Sequence, residues 1–144
     1  QRELYEQLVE KPALIPTAVE ESLRFDAPVL GLYRTNTEEI SLHGVNIPER
    51  SKVMATYGAA NRDPNVFKNP NEFRLDRPQK ELRKHLSFGL GRHFCPGAQL
   101  SRLEAKYALE EVSRRFPNLR LVANPKRIEP FLLWGRKELI VRWD

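Results

Sequence analysis

Apolar positions recur at helical spacing near both ends of the chain and at strand spacing in between. In QRELYEQLVEKP, Leu4 and Leu8, with Tyr5 beside them, make a short stripe that ends before Pro12. Pro16 can open a second helix, because its fixed φ suits a first turn and its missing N–H is not needed there. PTAVEESLRF then carries Ala18, Val19 and Leu23 on one face, and Pro28 stops it by biasing Ala27 away from the α region. Shorter pieces with strand character follow: VLGLYRT, then EISLHGVNIP, which reads as a hairpin turning at His43-Gly44, then KVMATY. TYGAANRD suggests a short helix. Residues 61–86 break the pattern with Pro64, Pro70, Pro78 and many charges. A long irregular stretch inside a compact domain tends to be functional or disordered, and Phe67, Phe73 and Leu75 argue that this one is pinned to a core.

The strongest helix is AQLSRLEAKYALEEVSRRF. Ala98, Ala105, Leu109, Val112 and Phe116 form one apolar stripe, and Leu100, Leu103 and Tyr107 a second. Two stripes predict burial on more than one side. Pro117 ends the helix, and LRLV, FLLW and ELIVRW read as three short terminal strands. There is no internal repeat and no low-complexity tract.

The chain has 144 residues, the length of one domain, with 40% apolar and 30% charged residues, a globular balance. No apolar run approaches a membrane span, and the first residues lack a signal-peptide pattern. A net charge of +5 admits nucleic acid, an acidic ligand or an acidic protein partner. The basic residues are spread out, with no Lys/Arg block and no regular aromatic interleave, which argues against nucleic acid. A single cysteine cannot form an internal disulfide, so an oxidised secreted scaffold is disfavoured. The first residue is not Met and opens directly in a helical pattern, as expected for a piece of a longer or processed chain.

That cysteine, Cys95, lies in FGLGRHFCPG, residues 88–97. Gly89, Gly91 and Gly97 permit positive φ and a close approach of the backbone to a neighbour. Pro96 suits the first position of the following helix, which puts Cys95 at its N-cap. A thiol there faces the positive end of the helix, which favours the thiolate. Three roles are open on these residues alone. Cys95 can be a small buried hydrophobe. It can be a nucleophile or redox-active thiol, with His93 nearby, although closeness in sequence does not make a catalytic pair. It can be an axial ligand to a metal whose cofactor lies flat on the glycine-lined backbone. Zinc is disfavoured, since no second cysteine or usual ligand spacing accompanies it.

Phe88, Gly91, Cys95 and Gly97, at F-x-x-G-x-x-x-C-x-G, with Gly89 and a basic His93 two residues before the cysteine, resemble the heme-binding loop of the cytochrome P450 (heme-thiolate monooxygenase) family. EESLR supplies Glu21-x-x-Arg24, similar to the family's E-x-x-R helix; Glu111 and Arg114 repeat that spacing by chance. AVEESLRFDAPV, a strand with Arg34, HGVNIP, AANRDPNVF, NEFRLDRP and HLSFGLGRHFC resemble the soluble bacterial branch in order and spacing. The likeness covers essentially all of residues 1–144, as a single partial domain that corresponds to the C-terminal third or so of a family member.

The resemblance implies a mainly helical α+β fold with small peripheral sheets, holding heme b (iron protoporphyrin IX). Cys95 would be the proximal thiolate, and so the metal ligand and catalytic centre. Arg34 and His93, with help from His85, would bind the heme propionates. Phe88 would pack beside the thiolate, Gly89 and Gly91 would make room for the porphyrin, and Gly97 would let the next helix pass beneath it. Glu21, Arg24 and Arg77 would form a buried network locking the irregular segment in place. The implied reaction is dioxygen-dependent hydroxylation of a small organic substrate in the cytoplasm, with electrons from NAD(P)H through a ferredoxin-type donor. Arg83, Lys84, Arg92 and Arg102 are candidates to dock that donor. Leu30, Leu32 and Leu133, near the segments at 28–33 and 131–134, could meet substrate but are expected to be core. The family's oxygen-activating helix would lie upstream of residue 1. The alternative expectation is therefore a truncated, non-catalytic heme-binding remnant.

Overall fold

The computed structural model describes residues 2–128 and 132–144; the expected strand FLLW falls partly outside them, at Phe131. Five helices and three two-stranded antiparallel sheets make up the described chain. Helix α1 spans Arg2–Glu10. A 3-10 turn at Pro12–Leu14 leads straight into α2, Ile15–Phe25, with Pro16 in its first turn. The helix stops at Phe25, before Pro28 can act, and the Asp26 N–H closes the last turn on the Ser22 carbonyl at 3.0 Å.

Strand β1, Leu32–Thr35, pairs with β4, Lys52–Ala55, with Arg34 opposite Val53. Between them β2, Ile40–Leu42, and β3, Val45–Ile47, form the expected hairpin. His43 and Gly44 both adopt positive φ, +50° and +80°, as a two-residue turn matching the twist of its strands requires. Helix α3, Tyr57–Ala60, opens the irregular segment, which contains one further helical turn, α4, Gln79–Leu82. Helix α5, Ala98–Arg115, follows the cysteine loop, and β5, Arg120–Leu121, pairs with β6, Val141–Arg142.

The core sits where α1, α2 and α5 meet. Leu8, Ile15, Ala18, Val19 and Leu75 are buried together, with Phe73, Ala105 and Leu109 packed against them. Phe73 and Leu75 thus anchor the irregular segment as expected, and Phe67 is also buried. Tyr5 donates its hydroxyl to the Phe116 carbonyl at 2.8 Å, so α1 satisfies an acceptor that the end of α5 leaves free.

The expected burial of α5 on both sides is corrected. Its first stripe faces α1 and α2, while Leu100, Leu103 and Tyr107 point away from that core and are exposed. Leu32 and Leu133 are likewise exposed instead of core, and only Leu30 is half-buried. No helix among the described residues is long and apolar enough to cross a membrane.

Candidate functional site

Glu21 and Arg24 on α2 meet Arg77 of the irregular segment, with exposures of 0%, 0% and 2%. Arg24 grips the Glu21 carboxylate with two donors, Nε at 2.6 Å and Nη2 at 2.8 Å, and Arg77 Nε adds a third at 3.0 Å. The Arg74 N–H donates to the same carboxylate at 3.0 Å. The remaining guanidinium hydrogens go to backbone carbonyls of the irregular segment. Arg24 reaches those of Asn61, Pro70 and Glu72, and Arg77 those of Lys68, Asn69 and Glu72. Arg77 also pairs with Glu81. A segment with little regular secondary structure has many carbonyls to satisfy, and two buried arginines satisfy five of them, that of Glu72 from both sides. Full pairing is what makes burial of these charges tolerable.

A second polar knot joins this segment to the loop. Asn61, fully buried, accepts the Leu86 N–H at 2.7 Å and donates to Ser87 Oγ at 2.8 Å. Ser87 donates in turn to the Leu23 carbonyl on α2 at 2.6 Å.

The loop is closed by its own backbone. The Cys95 N–H donates to the Phe88 carbonyl at 2.9 Å, the Gly89 N–H to Leu86 at 2.8 Å, and the Phe94 N–H to Gly91 at 3.0 Å. Gly89 and Gly91 hold φ of +75° and +76°, where a side chain would be strained. A 3-10 turn at Gly91–His93 lifts Leu90 and Phe94 outward, 78% and 48% exposed. Cys95 is half-buried with a free thiol, and its Sγ lies 3.8 Å from where a Cβ on Gly97 would stand.

The placement of Cys95 at the N-cap is corrected: Gly97 is the N-cap, and Cys95 lies two residues earlier. Pro96 therefore precedes the helix instead of opening it. The Cys95 carbonyl accepts the Ala98 N–H at 3.2 Å, so the first turn of α5 holds the loop by the backbone.

The remaining candidates are dispersed. Arg34 is exposed on β1 and donates to the Tyr33 carbonyl at 2.8 Å. His93 is exposed on the loop's 3-10 turn. His85 is 7% exposed, and both ring nitrogens are taken: the Ser87 N–H donates to Nδ1 at 3.2 Å, which leaves Nε2 to donate to Glu20 at 3.0 Å. Both nitrogens of His85 thus face protein partners on α2 and in the segment before the loop. Arg102 is similarly committed, with Nε 2.5 Å and Nη2 3.1 Å from the two Glu20 oxygens. Burial would push the Glu20 carboxyl up, but hydrogen bonds from His85 and Arg102 and the charge of Arg102 outweigh it and bring it to about 2. Sequence reading missed Glu20, Asn61 and Ser87; their partners lie 25 or more residues away, beyond any local period.

The cytochrome P450 family profile matches residues 1–141. The chain belongs to the cytochrome P450 family. Among its relatives, 6-deoxyerythronolide B hydroxylase of Saccharopolyspora erythraea is 43% identical over 136 residues, which are 92% of this chain and 33% of that protein. The biotin biosynthesis cytochrome P450 of Bacillus subtilis is 43% identical over 133 residues, 92% of this chain and 32% of that one. Of solved structures, a cytochrome P450 of Bacillus megaterium in complex with testosterone superposes with a TM-score of 0.93 at 35% identity, covering 100% of this chain and 40% of that one. The chain thus spans about a third of the length of the curated relatives it matches. The residues of this cytochrome P450 chain fit the family's heme-thiolate group. Among the described residues no cluster of three or more His, Cys, Asp or Glu could hold a bare metal ion. A single thiol on a backbone that carries two left-handed glycines has the chemistry to suit a metal already held by a flat macrocycle.

Proposed function

We propose that this chain is the heme-anchoring part of a heme-thiolate monooxygenase that hydroxylates a small organic substrate with dioxygen, using electrons from NAD(P)H through a ferredoxin-type donor. The observation that carries this reading is the loop at 88–97: a lone free thiol tied to the Phe88 carbonyl between left-handed glycines and a helix start, in a family member. Heme b, when bound, would supply the oxygen-activating iron, and Cys95 would be the thiolate donor that enriches it in electron density.

The chain's own residues orient and insulate that group. Cys95 is the only thiolate the chain can offer to the iron. Gly89 and Gly91 leave backbone without side chains where the macrocycle would lie. Gly97, whose added Cβ would stand against the sulfur, keeps the first turn of α5 close to it. Phe88 packs beside the thiolate and limits water there. Arg34 and His93, both exposed, neutralise the two propionates; Arg34 can offer paired donors to one of them. Glu21, Arg24 and Arg77 keep residues 61–86 rigid beneath the group.

Exposed Arg83, Lys84 and Arg92 form the basic part of a docking face for an acidic electron donor in the cytoplasm, and Arg102, already paired, contributes little to it. Relatives named as 6-deoxyerythronolide B hydroxylase and steroid C26-monooxygenase support a largely apolar organic substrate. Leu32 and Leu133, exposed here, are candidates to touch it.

The test is the reduced-carbonyl spectrum of the full-length protein. A red-shifted Soret band that Cys95→Ser abolishes is expected. A holoprotein without the band, or a band that survives Cys95→Ser, overturns the reading.

A further inference from the structure

The Phe88 ring is held by a charged cluster that the heme-binding loop does not itself contain. Arg102, on α5, lays its guanidinium carbon 4.6 Å from the Phe88 ring centroid. His85, at the end of the irregular segment, stands tilted to the same ring with centroids 6.1 Å apart. Phe94 approaches it edge-on at 6.4 Å. Both Arg102 and His85 are fixed by one carboxylate, that of Glu20 on α2, which takes two hydrogen bonds from the arginine and one from the histidine. The side chains are 13%, 27% and 2% exposed for Glu20, Arg102 and His85, so the cluster is largely withdrawn from water. Phe88 in turn accepts the Cys95 N–H on its carbonyl. Four separate segments therefore converge on the residue that carries the cysteine's backbone partner.

We propose that Glu20 is a positioning residue: by clamping Arg102 and His85 against Phe88, it fixes the backbone on which Cys95 is presented. A guanidinium free of its carboxylate can swing toward solvent, whereas a two-point carboxylate grip sets the plane of the fork and hence the face it offers to the ring. Removing the carboxylate also leaves the His85 Nε2 donor buried without a partner. The neighbouring Glu21 performs no part of this; its oxygens are occupied by Arg24, Arg77 and the Arg74 N–H. Adjacent acids on one helix thus serve different tasks, Glu21 fastening the irregular segment and Glu20 the loop.

Amide hydrogen exchange of the full-length protein tests this without requiring heme. Glu20→Gln is expected to speed exchange across residues 88–95 about tenfold or more, the scale of one lost charge-assisted hydrogen bond. Arg102→Gln is expected to do the same, and the double variant to exchange no faster than the faster single one, because the two act as a unit. Asp26→Asn, which breaks ion pairs to Arg127 and Arg136 at the C-terminal end of α2, is expected to leave 88–95 unchanged. Unchanged exchange in Glu20→Gln, additive effects in the double variant, or an equal effect of Asp26→Asn would overturn the proposal. Should Glu20→Gln fail to fold, Arg102→Gln, at a partly exposed position, carries the same comparison with Asp26→Asn. A second readout, which rests on the heme-thiolate reading, is the reduced-carbonyl band: Glu20→Gln is expected to convert part of it to the unshifted form. A wild-type protein lacking the band while exchange responds as stated contradicts that reading alone. A normal band in Glu20→Gln with unaltered exchange contradicts the positioning role alone.

Discussion

Glu21 and Arg24 on α2, and Glu111 and Arg114 on α5, share the same three-residue spacing and form ion pairs of nearly equal length, 2.6 Å and 2.7 Å. The first pair is fully buried and the second is more than half exposed on both sides. Helical geometry makes both pairs; it does not make them equivalent. Arg24 spends its remaining donors on three carbonyls of residues 61–72, and Glu21 takes a further arginine and a backbone N–H. Among the described residues Glu111 meets only Arg114 and Arg115, at the surface, where water and salt compete for every charge. The value of an ion pair thus lies in what else its members must satisfy, and on α2 that is the folding of a segment without regular structure of its own.

The sharpest way to break this contrast is Arg24→Ala. It leaves an underpaired carboxylate and three orphaned carbonyls in the interior, and should cost about 3–5 kcal/mol in denaturant unfolding of the full-length protein. Asn61→Ala comes next. It strands the Leu86 N–H and removes the donor to Ser87 Oγ while sparing the ion pairs, for about 1–3 kcal/mol by the same measurement. Gly89→Ala moves the test to the cysteine loop, where a side chain at φ +75° costs about 1–2 kcal/mol. That penalty should appear as faster exchange within the loop more than as a shifted unfolding midpoint.

Acid titration sharpens the contrast at smaller scale. The Glu20 carboxyl is held down at about 2 against an ordinary 4.5, so its contribution is fully present above pH 4.5 and is lost as pH falls toward 2. Wild-type protein should lose stability across that window more steeply than Glu20→Gln. Arg114→Ala is the smallest effect, and its unfolding midpoint should coincide with that of the wild type. A loss there comparable to Arg24→Ala would show that spacing alone, and not surroundings, sets the worth of these pairs.

The two pairs also mark how far sequence carries. Helical stripes, the His43-Gly44 turn and left-handed Gly89 and Gly91 follow from local periods and backbone preferences, and the structure contains them, whereas Gly97 is right-handed at φ -80°. Likeness to a family placed Arg77 beside Glu21, 56 residues away, which no period could do. Glu20 looks like any acid on a solvated helix face until the fold brings His85 and Arg102 to it across 65 and 82 residues. Asp26 is the same case, joined to Arg127 and Arg136 across more than a hundred residues. The second stripe of α5 fails for the opposite reason: apolar spacing announces a face to be covered but not what covers it, and here Leu100, Leu103 and Tyr107 face outward.

The proposed function stands or falls with Cys95 as the one protein donor atom that ties the iron to this chain. X-ray absorption at the iron edge of the purified full-length protein addresses it directly. One sulfur in the first coordination shell, absent in Cys95→Ser protein that unfolds at the wild-type midpoint, is the predicted result. An iron shell without sulfur in the wild type, or a sulfur retained in Cys95→Ser, would contradict it.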